Sequence, residues 1–523
     1  MTAIETDAQD WPPDAVRRQL ATVLESEPFR QAARQKRFLS YLVEEELAGR
    51  GERLSQYAIA CDVFDRESGF DPAVDSVVRV EARRLRTKLA EYYAALPASD
   101  PLVIALPKGR YRVRFSAAAA GREPRRSADP EAKPTVAVLP FDNLGGDPAQ
   151  DYFSDGITED IITDLSKLSG LSVISRHSTF VYKGRSVAAR DIGDDLGARF
   201  LVEGSVRRAG DRVRVTAQLI DAQRDSHLWA ERYDRELGEV FAIQDEVTRL
   251  IVEALNVTLT EVEGRRLGHR GTESRAAHDL LLRAMQRFYA FGHDDVAEAI
   301  ARLQDALAFD PGYAEARAWL GRVLVYAAIA GLVEDDPDPV GSAVAQAREA
   351  IAADPLLPPG HAVLGWALTW AGAGEEALVE TARALELDPS FADGYLWRAM
   401  ALCAVGEGQE ALTAVERGMR LNPHFGVTYL HALALAHFAL AQYEEVLLQC
   451  RHSRRRNANF LPSHLLEITT LAQLGRTEAL SDRVGEARRL DPKGSSILPG
   501  FFIDAELKAR YNKGLETAGL KVG

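Results

Sequence analysis

The feature that most restricts how this chain can fold is a recurring Asp/Asn-Pro pair. Asp310-Pro311, Asp354-Pro355, Asp388-Pro389, Asn422-Pro423 and Asp491-Pro492 punctuate its C-terminal half. The first interval is 44 residues, the next two are 34, and the last, 69, divides as 35 and 34 if Asn457 marks a degenerate site. Small residues keep the same beat: Gly321, Gly365 and Ala399 each stand ten residues past a repeat proline, and Ala299, Ala377 and Ala411 share a second small position. Between the prolines the patterning is helical, and proline cannot continue a helical hydrogen-bond ladder. The spacing therefore predicts two antiparallel helices per unit, stacked because a single unit cannot bury its own apolar face. The ten-residue excess of the second unit, Gly331–Gly341, reads as an inter-helix loop.

A 34-residue helical period resembles the tetratricopeptide (TPR) family. The resemblance implies an all-α solenoid over residues 274–493, about six repeats, closed by a capping segment over 494–523 (Ser495–Leu507 and Gly514–Leu520). It also implies a concave groove, lined mainly by the first helices, that holds a protein or peptide. Candidate partner-binding residues are Trp366, Trp370, Tyr395, Trp397 and Tyr429, with Trp319 beside them. Most aromatic residues at repeat positions are core, so a minority of these is expected to touch a ligand. Arg451, Arg454, Arg455 and Arg456 form a basic patch, or equally a solvated helix end complementing the helix dipole.

The remaining 270 or so residues need two more domains at the usual domain size. Net charge is −14 over 523 residues, which by itself argues against nucleic acid. Its distribution reverses that argument. From Asp14 to Ser116 there are 18 Lys/Arg against 15 Asp/Glu, leaving −17 for the rest, and within Ala73–Arg114 the count is nine against four. The small-residue, proline-rich and charged stretch 117–133 reads as a linker between this segment and the next.

In the basic segment, Ser55–Phe64 reads as a short helix with Ser55 as N-cap, followed by the loop Asp65–Pro72. A long helix then runs from Ala73 to about Tyr93, with an apolar stripe of Val78, Ala82, Leu85 and Leu89. Arg79, Arg83 and Arg86 flank the stripe on one side, and Arg84 and Lys88 occupy another flank. Leu102–Leu106 and Tyr111–Phe115 read as two strands around Pro107-Lys108-Gly109-Arg110. Helix, turn, basic helix and basic hairpin is a layout in which one helix enters the major groove and the hairpin touches phosphate.

Asp75, Ala82-Arg-Arg-Leu-Arg-Thr-Lys-Leu89 and Leu106-Pro-Lys-Gly-Arg-Tyr-Arg-Val-Arg114 resemble the winged-helix effector domain of OmpR/PhoB-type response regulators and CadC-type activators. The match covers roughly Gln56–Phe115 within a domain spanning 14–116. The long helix carries about one extra turn, and the wing has Lys108-Gly109-Arg110 in place of two glycines. The resemblance implies DNA contacts from Arg79, Arg83, Arg84, Arg86, Lys88, Lys108, Arg110 and Arg112. The competing reading pairs these arginines with Glu81, Glu91 or a protein partner. Winged-helix proteins often bind paired half-sites, which admits a homodimer, although no coiled-coil seam demands one.

Residues 134–263 alternate strand and helix patterns: Thr135–Pro140, a helix over Ile157–Leu168, Leu171–Ile174, a hairpin Leu201–Arg208 and Arg212–Ile220, a strand Ser226–Tyr233 and a closing helix Phe241–Leu259. This predicts an α/β domain with a mixed sheet. Thr135-Val-Ala-Val-Leu-Pro-Phe-Asp-Asn143, Tyr152–Asp160, Ser175–Gly184 and Leu201–Arg207 resemble the TolB-like N-terminal module, which often precedes TPR repeats and follows a class III cyclase or winged-helix domain.

No catalytic constellation emerges. Asp142, Asp155, Glu159 and Asp160 follow the first strand and could line a cleft at its C-terminal end, but Asp155, Glu159 and Asp160 more often form an acidic first helical turn. Gly145-Gly146 lacks both dinucleotide and phosphate-loop fingerprints, His177 has no triad partner, and His431 and His437 are off one helical face. Cys61, Cys403 and Cys450 lie far apart, and the longest clean apolar run, Val323–Val333, is too short to span a membrane. The expectation is a cytoplasmic non-enzyme without metal or cofactor. Its leading reading is a DNA-binding transcriptional regulator with a protein or peptide partner and no membrane. The alternative is a non-catalytic TPR scaffold in a cyclase-related signalling system.

Overall fold

The computed structural model describes residues 13–30, 32–47, 59, 62–64, 77–94, 102–106, 113–117, 133–236, 239–260, 263–264, 271–289, 293–332, 336–491 and 501–520. Its residues divide into two units, Met1–Ala132 and Lys133–Gly523.

In the first unit, helices α1 (Pro13–Glu25) and α2 (Ala33–Leu47) are joined through a short turn, Glu27–Phe29. Helix α3 (Val77–Ala94) follows, then strands β1 (Leu102–Ala105) and β2 (Arg114–Ala117). The strands pair antiparallel, with Leu102 opposite Ala117 and Ala105 opposite Arg114. The predicted stripe of α3 faces inward: Val78, Ala82, Leu85 and Leu89 are buried with Phe38, Leu39 and Leu42 of α2 and Ile104 and Phe115 of the strands. Arg17 forks onto Glu44 (3.0 and 2.9 Å) and ties α1 to α2. Within the expected helix 55–64, Ile59 and Val63 are buried and Phe64 is half-buried against the same core. Ser55, the loop 65–72 and the hairpin tip 107–110 lie outside the described residues.

The second unit opens with a mixed six-stranded sheet. Strands β3 (Thr135–Val138), β4 (Asp142–Asn143), β5 (Ser172–Val173), β6 (Phe200–Ala209), β7 (Arg212–Asp221) and β8 (Ser226–Glu236) lie in the order β5-β3-β6-β7-β8, with the short β4 also on β6. β5, β3 and β6 run parallel, while β6, β7 and β8 are antiparallel. Helices α4 (Asp151–Ser166), the single turn α5 (Arg176–Thr179), α6 (Ala189–Leu196) and α7 (Val240–Ala254) complete the layer. The pleat sends Val213, Val215, Ala217 and Leu219 of β7 into the core shared with α4 and α7. On the other face, Ile192 and Leu196 of α6 form a smaller cluster with Ala137, Leu139, Ile174, Ala198, Leu201 and Ala222.

Helix α4 starts six residues before the expected Ile157. The Asp147 carboxylate accepts from Ala149 N–H (2.9 Å), capping the turn Pro148–Gln150 that feeds the helix. Helix α7 stops at Ala254, short of the expected Leu259, where Asn256 takes a positive φ of 52° and closes the helix.

The repeats form helix pairs α8/α9 (Arg275–Phe288, His293–Phe309), α10/α11 (Ala314–Ala330, Pro339–Ala353), α12/α13 (Pro358–Trp370, Gly374–Leu387), α14/α15 (Ala392–Ala404, Gly408–Leu421), α16/α17 (Val427–Ala439, Tyr443–Arg456) and α18/α19 (Leu461–Gln473, Thr477–Leu490), followed by α20 (Ala505–Thr517). The Asp of three of the Asp-Pro pairs has a mechanical task. Asp310, Asp354 and Asp388 each accept the N–H two residues on (3.0, 2.9 and 2.9 Å), the one the proline leaves to be satisfied. Asn457 does the same for Asn459 (3.0 Å), so the degenerate site keeps the turn although it has lost the proline. The small positions are close approaches: a Cβ on Gly365 would lie 2.5 Å from Thr381 Cγ2 and 3.0 Å from Ala377 O.

The sheet layer and the first repeats share one core. Ile157, Ile161 and Leu165 of α4 lie in the same cluster as Leu281, Leu282, Met285 and Trp319. Gly156 permits this contact, since a Cβ there would meet Leu282 Cδ1 at 2.3 Å.

Candidate functional site

Helix α3 carries five of the cations singled out in the first unit, and those with described side chains divide into two groups. Arg84 is exposed and pairs with the buried Glu81 (2.8 Å) one turn back. Arg86 donates to Leu106 O (3.0 Å), and Lys88 Nζ donates to Pro28 O (2.6 Å). Arg86 and Lys88 therefore brace α3 against the end of β1 and the α1–α2 turn. Both side chains are half-buried, and their charged heads satisfy backbone carbonyls. Arg79 and Arg83 stand on α3 one turn apart, and their side chains lie outside the described residues, as do Lys108, Arg110 and Arg112 entirely.

The aromatic residues proposed for the repeat groove turn out to be largely engaged with the chain itself. Trp366 and Trp397 stack face to face, 5.0 Å apart at 2°. The Arg322 guanidinium sits 5.2 Å from Trp397 and 4.8 Å from Trp319, and pairs with Asp393 (2.8 Å). Trp397 is 5% exposed and Tyr429 2%, the latter donating to Asp393 (3.3 Å). Trp370 packs against Phe501 from the C-terminal segment (5.2 Å). Tyr395 donates to Pro389 O (3.4 Å), six residues back. That bond recurs with other chemistry: Arg317 to Pro311 O (2.9 Å), His361 to Pro355 O (3.0 Å) and His464 to Ala458 O (2.8 Å). A polar side chain at this offset staples four of the repeat turns, whereas Tyr429, six past Pro423, donates to Asp393 instead.

The sheet layer is seated on the turns of the third and fourth helix pairs. Ser166 donates to Asp388 (2.7 Å), Val173 N–H to Ser390 Oγ (3.1 Å) and Ser175 N–H to Leu421 O (2.8 Å). Ser178 donates to Asn422 (2.6 Å) and accepts from His424 N–H (2.9 Å), while the His424 ring meets Asp195 (2.9 Å). The Arg176 guanidinium lies over Phe180 (3.7 Å) and Tyr289 (4.2 Å) and pairs with Glu159. This seam is polar, unlike the apolar junction with the first repeats.

The seam corrects the reading of the acidic residues after the first strand. Helix α4 begins at Asp151, so Asp155, Glu159 and Asp160 fall in its interior rather than its first turn. Asp155 holds Lys183 (2.7 Å), and Asp160 accepts from Gln244 (2.6 Å) and faces His278 (3.4 Å). Burial pushes the Glu159 carboxyl up to about 7 despite Arg176 and Arg322 nearby. Burial, with Asp160 beside it, likewise pushes Glu315 up to about 7. Asp155 thus binds within the sheet layer, Asp160 faces the first repeats through His278, and Glu159 meets Arg176 at the seam.

Of that acidic group, Asp142 lines a cleft. About 890 Å³ in volume, it lies on the sheet face that α6 leaves open, between Leu139-Pro140 and the loop 182–187. Its lining is polar but mutually engaged: Ser205 bonds Thr216 (2.6 Å), Gln218 donates to Glu203 (3.1 Å) and Tyr182 donates to Asp195. Among the described residues no group of three or more His, Cys, Asp or Glu is arranged to hold a metal, and no helix is long and apolar enough to cross a membrane.

Residues 132–250 match a family model described as the HilA/YgeH-like transcriptional regulator, second domain. A protein of Rhizobium meliloti (strain 1021) named "Putative adenylate cyclase 3" is 55% identical over 189 residues, 36% of this chain and 32% of that protein. The chain thus spans about a third of the length of the curated relative it matches. Similar solved structures include a thermophilic TPR protein of Thermus thermophilus (TM-score 0.31, 21% identical, 38% of this chain and 99% of that one). TolB from Acinetobacter baumannii is another (TM-score 0.20, 20% identical, 26% of this chain and 31% of that one).

Proposed function

We propose that this chain is a DNA-binding transcriptional regulator whose sheet layer and repeats recruit or sense a protein partner. The observation that carries the reading is the match of residues 132–250 to the second domain of HilA/YgeH-like transcriptional regulators. It adjoins a unit in which a basic helix is followed by an antiparallel strand pair. In this reading the first unit is a winged helix, with Arg79, Arg83 and Arg84 on α3 and Lys108, Arg110 and Arg112 at the hairpin as its phosphate and base contacts. Arg86 and Lys88 position α3 from within. The sheet layer is the TolB-like module, and no catalytic step is assigned to it.

An electrophoretic shift of the full chain on genomic fragments at 50 and 200 mM salt tests the reading. Salt-sensitive binding is expected, since phosphate contacts release counterions. Replacing Arg79, Arg83 and Arg84 together by Ala should weaken it about tenfold or more. No salt-sensitive binding by the wild-type chain would sink the proposal.

A second reading, a non-catalytic scaffold in cyclase-related signalling, draws on the 55% identity over 189 residues to a protein named as an adenylate cyclase. Under it the triple arginine variant loses a protein partner and leaves DNA occupancy unchanged.

A further inference from the structure

A seventh repeat in register would begin its first helix 34 residues after Leu461, near residue 495. Residues 492–500 lie outside the described residues; beyond them Phe501–Asp504 is non-helical, and helix α20 starts at Ala505, off that register. Ile503 N–H and Asp504 N–H both donate to Ala404 O (2.8 and 2.9 Å), the last residue of α14. Phe501 packs on Trp370 at the end of α12, and Phe502 on Phe438 near the end of α16 (6.0 Å). Asp504 caps α20 by accepting from Leu507 N–H (2.8 Å). The helix then lies along α18, where Thr469 donates to Tyr511 O (3.2 Å) and Gln473 to Arg510 O (3.0 Å). One segment thus crosses the C-terminal ends of four successive first helices, the helices that line the inner face of a solenoid.

Helix α20 stacks on the last pair through Leu515, with Tyr511 and Ala518 beside it, and the buried pair Phe501-Phe502 adds an anchor that reaches further back along the array. The seat also has a mismatch, because Trp370 Nε1 is buried and finds no acceptor among the described residues. A buried donor without a partner leaves room for a ligand that supplies one.

We propose that Phe501–Thr517 is an intramolecular ligand of the surface made by the ends of α12, α14, α16 and α18, and that a protein partner with the same chemistry displaces it. That chemistry is two adjacent aromatic residues, an aliphatic residue, and an Asp that caps a short amphipathic helix. An acceptor placed opposite Trp370 Nε1 gives the partner an advantage that the chain's own segment lacks. Tethering gives the internal segment an effective concentration of about a millimolar, so only a well-matched partner competes. The inference rests on the reading that the repeats recruit a protein, and it names the surface and the recognition motif.

The probe is a fluorescein-labelled peptide of residues 498–520, titrated into the full chain and followed by anisotropy. Phe501→Ala/Phe502→Ala in the full chain should bind it at least tenfold more tightly than wild type, and a peptide carrying the same two substitutions should not bind. Equal affinity for both proteins, or no binding by a variant that still melts cooperatively, overturns the proposal. Should the double variant fail to fold, Gly514→Ala serves in its place, because a Cβ there would meet Thr469 Cα at 2.7 Å and wedge α20 away. Amide exchange of wild type adds a second readout: residues 501–520 should exchange at least tenfold faster than α12–α18, and exchange as slow as those helices refutes displacement. DNA shifts run on the same variants separate the outcomes, since lost peptide binding with intact DNA binding removes the self-ligand and not the regulator reading.

Discussion

Glu315 shows how a single side chain couples the two layers of the second unit to pH. Its carboxyl titrates near 7 in the folded chain and near 4.5 when unperturbed. Between those values the folded state holds a proton that the unfolded state has released, so this residue's stabilising contribution falls as pH rises through the window. Glu315→Gln should match wild type near pH 5 and exceed it by about 1–2 kcal/mol at pH 8, allowing for partial exposure. Melts at the two pH values test this, and a gap that does not widen with pH refutes it. At the same scale, Tyr395, Trp397 and Tyr429 were legible as first-helix aromatics with a largely core role, but their particular partners were not. A helical period places a residue on a face; which neighbouring repeat or layer meets that face is decided by how the helices stack.

Helix α3 carries the clearest consequence at the level of elements. Its apolar stripe was readable from spacings of four, three and four, and the same residues are buried. The division of its cations was not readable, because Arg86 and Lys88 find carbonyls at Leu106 and Pro28 that only the folded chain brings near. Lys88→Ala should therefore lower the melting temperature of the first unit by several degrees, about 1 kcal/mol, and leave the salt dependence of DNA binding unchanged. A reduced salt slope with an unchanged melt would return Lys88 to the DNA face. Helix α4 teaches the complementary lesson. Its period marked one apolar face, yet Asp160 and Ser166 on the remainder are also covered, by α7 and α8 and by a repeat turn.

For the whole molecule, the division at Ala132/Lys133 and the core shared by the sheet and the first repeats make a thermodynamic prediction. Calorimetry of the full chain should resolve two transitions, one for each unit, because the main core of the sheet is continuous with that of the first repeats and polar bonds tie the sheet layer to the turns after the third and fourth pairs. A third transition, assignable to the sheet by the loss of Trp229 signal, would contradict the shared core.

The sequence by itself determined the repeat period and its turns, the helix–hairpin order of the basic segment and the mixed sheet between them. Each of these rests on local chemistry: an Asp accepting the N–H past a proline, an apolar stripe at 3.6 residues, alternation at two. Only the tertiary structure decided that the sheet would sit on the turns at Asp388 and Asn422, and that the C-terminal segment would cross the first-helix ends. It also decided that two of the expected DNA-facing cations would brace the helix from within. Those outcomes join residues up to 246 positions apart, and no periodicity along the chain records which distant surface will remove a side chain from water.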